Sequence, residues 1–268
     1  MALRQVAADI REMLHEQVEY RELLVQMTKR DLLLRYKQTI MGFAWAIFMP
    51  LVNTAVFSVI FMRVAPIDVG IPYPLFAFCG LLTWNLFASA LRFSVSSLTS
   101  NTALVTKVYF PREIFPLSAV VVCLVDFAVA SLVLVALMVY YRVAITPAVL
   151  ALPLVIVVQL AFTIGVALFL AMANLFYRDV KYIFEVAITV WMFATSVVYP
   201  VQLVGGRLGL VLELNVMTPI IDAYRSVLLH GELPALGPFA VATAVSFLTL
   251  AVGWLVFHRA EFRFAENV

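Results

Sequence analysis

Proton transfer, phosphate recognition and electrostatic docking all need ionisable side chains, and here only 13% of the residues are charged while 64% are hydrophobic. Asp126 stands near the middle of the apolar run 114–140, where an ionisable group is costly enough to carry a function by default. A proton relay would need partners, and the neighbouring apolar sequences offer none, so an interhelical hydrogen bond is the expected use of its carboxylate. Arg35, Lys37 and Arg92 border apolar runs, where cations suit a phosphate-bearing lipid head group. His15, His230 and His258 are far apart in sequence and give no metal-binding or histidine-based catalytic motif. No Gly-x-x-x-x-Gly-Lys-Ser/Thr loop occurs, so nucleotide phosphates cannot be cradled here in the usual way. No catalytic residue, metal site or cofactor of the chain's own is expected.

The elements that position these groups are membrane spans. A helix needs about 20 apolar residues to cross about 30 Å of hydrocarbon. Six stretches qualify: Ile40 to Met62, Pro74 to Leu91, Ile114 to Tyr140, Pro147 to Phe176, Ile183 to Pro200 and Leu236 to Phe257. The expected fold is all-α and integral to the membrane. An even number of crossings puts both termini on one side. Arg4, Arg11, Arg21, Lys29, Arg30, Arg35, Lys37, Arg92, Lys107, Arg112, Arg178, Lys181, Arg259 and Arg263 fall on that side, against Arg63, Arg142, Arg207 and Arg225 opposite. The positive-inside bias therefore makes both termini cytoplasmic in a multi-pass protein of the cell inner membrane. A net charge of +2 implies no nucleic-acid partner. Cys79 and Cys123 fall within spans and read as small packed hydrophobes rather than a disulfide.

Residues 1–38 lack a secretory signal's apolar core, so no cleavage is expected. Leu3, Val6, Ala7, Ile10, Met13 and Leu14 recur at helical spacing, predicting an amphipathic helix that lies along the membrane surface or meets a protein partner. Between the second and third spans, the stretch Lys107-Val108-Tyr109-Phe110-Pro111-Arg112-Glu113-Ile114-Phe115-Pro116 carries paired prolines and charges. Proline fixes where one helix stops and the next begins, which makes this a stiff hairpin able to transmit force. The segment 201–234 is too broken by Gly205, Gly206, Gly209 and Pro219 to span; it predicts two short re-entrant helices forming an outer gate, with Asp222 and Arg225 ordering one of them. Arg178 and Asp179 sit in a short inside turn, and Glu185 is placed to pair with Lys181 on one helix face.

Four motifs occur in order around these spans: Arg30-Asp31 followed by Arg35-Tyr36-Lys37-x-Thr39-x-x-Gly42-x-x-Trp45-x-x-x-x-Pro50, the 107–116 hairpin, Tyr177-Arg178-Asp179-Val180, and Asn215-x-x-Thr218-Pro219-x-x-Asp222-x-x-Arg225. Together they resemble the membrane subunits of ABC-2-type exporters that move lipid-linked polysaccharides such as O-antigen, capsule or teichoic acid. The resemblance covers nearly the whole chain, with residues 1–38 as an interface segment and 39–268 as the six-helix transmembrane domain. It implies a homodimer capped by two copies of a separate ATP-binding cassette subunit, which would hold ATP and Mg. The hairpin, about 99–116, would dock on that subunit through Lys107, Tyr109, Pro111, Arg112 and Glu113, with Arg178 and Asp179 nearby. Lipid-linked glycan and membrane lipid are the other implied partners.

Aromatic rings can stack on the C–H faces of sugars, so Trp45, Phe48, Phe57, Trp191 and Tyr199 are candidate channel-lining residues, although rings also form interfacial belts. Two alternatives stay open from sequence: an ABC-2 exporter of drugs or small lipids, and a proton-coupled carrier that titrates Asp126.

Overall fold

A computed structural model describes residues 18–37, 39–64, 66–107, 110–200, 209 and 215–264, and every regular element among them is helical. The chain order is α1 (Arg21–Tyr36), α2 (Ala44–Val59, continued by a π-helical turn Ile60–Val64), α3 (Tyr73–Ser97), α4 (Thr102–Lys107) and α5 (Ile114–Tyr140). There follow α6 (Leu152–Phe176, entered through a 3₁₀ turn Pro147–Ala151), α7 (Val180–Phe193), α8 (Met217–Arg225, continued by a π-helical turn Ser226–His230) and α9 (Leu236–Ala260). The amphipathic helix expected near the N-terminus, and most of 201–214, lie outside the described residues.

Five helical stretches are long and apolar enough to cross a membrane: Ala44–Val64, Tyr73–Ser97, Ile114–Tyr140, Pro147–Phe176 and Leu236–Arg263. The expected fifth of six spans, Ile183 to Pro200, differs. Its helix α7 has only 14 residues, about 21 Å at 1.5 Å per residue, and gives way to non-helical turns after Phe193. One helix of the expected outer-gate pair is described, α8, and it is buried inside the molecule rather than lying on its rim.

Helix α3 is the central column, with Leu75, Phe78, Phe87, Ala90 and Leu91 inaccessible to solvent. It packs against α2, α5, α6 and α8. Helices α6 and α9 approach backbone to backbone, because a Cβ on Gly253 would lie 2.4 Å from the Gly165 carbonyl oxygen. Small residues at such crossings let dispersion contacts and close packing hold membrane helices together where no hydrophobic effect separates protein from lipid. Helix α2 is covered least: Trp45, Phe48, Met49, Val52, Val56 and Val59 are exposed. Pro50 within it is buried and faces the site described next.

Candidate functional site: a cationic cavity and two polar latches

Helices α1, α2, α3 and α5 enclose a cavity of about 400 Å³. At its polar end lie Arg35, Tyr36, Arg92 and Asp126; Trp45, Met49, Pro50 and Phe127 supply an apolar wall. Arg35 Nη1 lies 2.5 Å from Asp126 Oδ2, and the Tyr36 hydroxyl donates to Asp126 Oδ1. Burial, and then that bond, push the Tyr36 hydroxyl above the usual phenol range, which keeps its proton in place for donation. The Arg35 guanidinium also lies 4.2 Å from the centroid of Phe93, next to Arg92 in sequence. Arg92 Nε donates to Glu185 Oε2 at 3.1 Å. Asn53 and Asn85 also line the cavity, and their amides have no hydrogen-bond partner among the described residues.

Asp126 is therefore not isolated. Its partners come from α1, outside the six apolar stretches, so a search confined to neighbouring spans missed them. Helix α1 also donates Arg30 to Asp31, whose second oxygen accepts from Ser118 on α5 at 2.9 Å. Contacts 31 to 118 and 35 to 126 advance together, seating α1 along α5 rather than on lipid alone. Glu185 turns to Arg92 across the molecule instead of to Lys181, whose ammonium lies over the Tyr182 ring. Of the three expected phosphate-binding cations, the cavity gathers Arg35 and Arg92; Lys37 ends α1 and is exposed.

The proline hairpin forms the first latch, and its Arg112 and Glu113 side chains face inward. Arg112 donates to Glu261 Oε1 through its backbone amide at 2.9 Å and its guanidinium at 3.2 Å, and also reaches the Val105 carbonyl. Glu113 is 1% exposed, with Oε1 at 3.4 Å from His258 Nδ1 and Oε2 without a partner among the described residues. Sequence reasoning assigned Arg112 and Glu113 to contacts with another subunit. Within this chain, half-buried Arg112 and buried Glu113 tie the hairpin to the end of α9. Pro111 is buried too, Tyr109 lies outside the described residues, and Lys107 is described only as the last residue of α4. Glu113, His258 and Glu261 bring possible ligand atoms within 4.8 Å of one another, a cluster that the 145-residue separation hides in sequence. Arg178 and Asp179 are exposed in the α6–α7 turn. Asn174 holds that turn, accepting from the Lys181 amide and donating to the Val95 carbonyl at the end of α3.

The second latch satisfies the irregular backbone after α7. Asn215 Nδ2 donates to the Ala194 carbonyl at 2.7 Å, and the Val197 amide to that of Thr195. Arg225 donates through Nη1 to Ser196 O at 2.7 Å and through Nη2 to Val197 O at 2.6 Å, while the Tyr73 hydroxyl reaches Val198 O at 2.8 Å. Five consecutive carbonyls thus find donors, as non-helical backbone shielded from water requires. Arg225 is 3% exposed, pairs with Asp222 at 3.2 Å and lies 3.6 Å over Phe76. Gly80 makes room, since a Cβ there would meet Val197 O at 2.2 Å and Arg225 Nη2 at 2.5 Å. Of the expected gate residues, Asp222 and Arg225 pair with each other within α8, and Pro219 lies in its first turn.

The aromatic candidates divide. Trp45 lines the cavity, exposed Phe48 meets it edge to face at 5.7 Å, and Phe57 stacks on Phe61. Trp191, half-buried, packs edge-on against Trp84, Phe87 and Phe162 and donates to Asn215. Tyr199 donates back to the Phe193 carbonyl, closing the turn.

Several long apolar helices around a buried column define a multi-pass membrane protein. Residues 22–229 match the ABC-2 type transporter family, and the chain belongs to it. It is 31% identical over 259 residues to the O-antigen export system permease protein RfbA of Myxococcus xanthus, covering 96% of this chain and 99% of that one. A permease of the same name from Klebsiella pneumoniae is 29% identical over 246 residues, covering 91% and 94%.

Proposed function

We propose that this chain is the membrane permease of an ATP-driven exporter that carries a lipid-linked polysaccharide of the O-antigen type outward across the inner membrane. The end-to-end similarity to O-antigen export permeases carries the reading. The cavity supports it, because it joins guanidinium groups suited to phosphate with an aromatic and apolar wall suited to a lipid or sugar. ATP and Mg belong to a separate subunit, consistent with the missing phosphate loop. Two copies of that subunit would cap a homodimer of this chain. The hairpin is the natural lever between them: its buried charges fix it to α9, leaving its tip to meet the partner.

Six membrane elements are the finer reading of the topology, with α7 and its capped turn as the fifth. The distribution of Lys and Arg supports this, and full pairing of the turn's carbonyls suits a site shielded from water. Both termini are then cytoplasmic. Deleting the gene in its native host should remove the surface polysaccharide and leave lipid-linked glycan inside, with recovery on re-expression. A normal cell surface in the deletion strain would overturn the proposal.

A further inference from the structure

The cavity's two arginines are both occupied by acids of the same chain, Arg35 by Asp126 at 2.5 Å and Arg92 by Glu185 at 3.1 Å, whereas the amides of Asn53 and Asn85 are not. Arg35 is also stacked on Phe93, so its guanidinium plane stays oriented when the carboxylate leaves. Tyr36 supplies Asp126 with a second partner that does not depend on Arg35. These are the features of a site neutralised from within: cations for an anion, an internal anion in its place, and a resting position for that internal anion once displaced.

We propose that the α1–α2–α3–α5 cavity binds a phosphate or diphosphate group, and that Asp126 is a built-in competitor which holds Arg35 until that group replaces it. The proposal rests on the exporter reading for the origin of the ligand, a lipid head group. Exchange of one anion for another on Arg35 moves no net charge into the protein beyond that of the ligand. It also breaks the ion pair that seats the end of α1 on α5. Arrival of the head group thereby loosens the end of α1 on α5, with the Tyr36–Asp126 and Asp31–Ser118 contacts left as its polar ties. Competition of this kind lowers affinity for any weak anion, because the ligand must outbid a tethered carboxylate at high effective concentration. A bidentate diphosphate meets that requirement better than a single carboxylate or chloride.

The test uses the full chain with its co-purified ATP-binding subunit in nanodiscs, titrated with undecaprenyl diphosphate, with phosphatidylglycerol as a monophosphate lipid, and with inorganic pyrophosphate. Arg35→Gln and Arg92→Gln should each weaken undecaprenyl diphosphate binding. Asp126→Asn should tighten it by roughly fivefold, the ratio expected on releasing a partly exposed ion pair. That gain should disappear in the Arg35→Gln background. Glu185→Gln, at a surface pair that the fold does not need, should give a smaller gain and serves if Asp126→Asn assembles poorly. Pyrophosphate binding as tightly as the lipid would assign the site to free phosphate. If Asp126→Asn leaves affinity unchanged or tightens it equally with and without Arg35, or Glu185→Gln tightens it equally with and without Arg92, the competitor is overturned while the exporter reading stands. If neither arginine variant affects any of the three probes, the cavity is not a phosphate site and its support for the exporter reading falls with it.

Discussion

Replacing Arg225 with methionine keeps length and apolar bulk but removes every donor that the guanidinium offers. Arg225 bonds Ser196 O at 2.7 Å, Val197 O at 2.6 Å and Asp222 at 3.2 Å, and covers Phe76 at 3.6 Å. Leaving two buried carbonyls unpaired costs about 1–3 kcal/mol each, and loss of the cation–π contact adds about 1–2 kcal/mol. Relief of the buried guanidinium's own desolvation offsets part of this, so a net loss of about 3–5 kcal/mol is expected, in line with breaking other buried charged pairs. At roughly 2–4 °C per kcal/mol for a chain of this size, Arg225→Met should lower the unfolding midpoint by about 10 °C, measured by fluorescence-detected size-exclusion chromatography after heating in mild detergent. Arg225→Lys supplies one cation without the fork that spans two carbonyls, and should recover less than half of the loss. A midpoint for Arg225→Met within 2 °C of the parent would refute the reasoning, since it would mean that water already serves these carbonyls.

Gly253→Val places a branched side chain against the Gly165 backbone and should cost about 3 kcal/mol or more through overpacking, seen as aggregation on size exclusion; Gly237→Ala, with nothing within 4 Å, should behave as the parent. Arg112→Ala strips Glu261 of its cation and should destabilise by about 2–4 kcal/mol, with much of that recovered in Arg112→Ala/Glu261→Gln if the pair is coupled as its geometry indicates. Trp45→Ala should leave thermal stability unchanged within about 0.5 kcal/mol while slowing glycan export. Trp191→Ala should cost about 3–5 kcal/mol by opening the Trp84–Phe87–Phe162 cluster. Equal stability losses for both tryptophans would erase the distinction between cavity wall and core.

Apolar runs of span length made most of the helices legible, because crossing hydrocarbon imposes a length and a composition that few other structures share. The α7 region escaped that logic. Ile183 to Pro200 is largely apolar despite Glu185, yet it breaks after Phe193 because side chains from α3 and from residues 215–225 replace the helix's own carbonyl partners. Hydropathy records no such pairing. Asp126 was visible as an anomaly, but its partners Arg35 and Tyr36 sit 90 residues or so away in a polar segment that hydropathy treats as outside. The start of the third span at Ile114 was legible from Pro111 and Pro116, whereas the inward turn of Arg112 and Glu113 depends on where α9 ends, at His258 and Glu261. Position in the chain tells which residues are charged; only packing tells which way the charges face.

The central claim is export driven by a partner's ATP hydrolysis. It is tested most directly by reconstituting this chain with its co-purified ATP-binding subunit in proteoliposomes and following movement of a fluorescently labelled lipid-linked glycan from the outer to the inner face, which stands for cytoplasm to outside in inverted complexes. The account predicts transfer that requires ATP and Mg and is lost when the partner's phosphate-loop lysine is changed. Transfer that proceeds without ATP, or that follows a proton gradient and stops with Asp126→Asn, would contradict it.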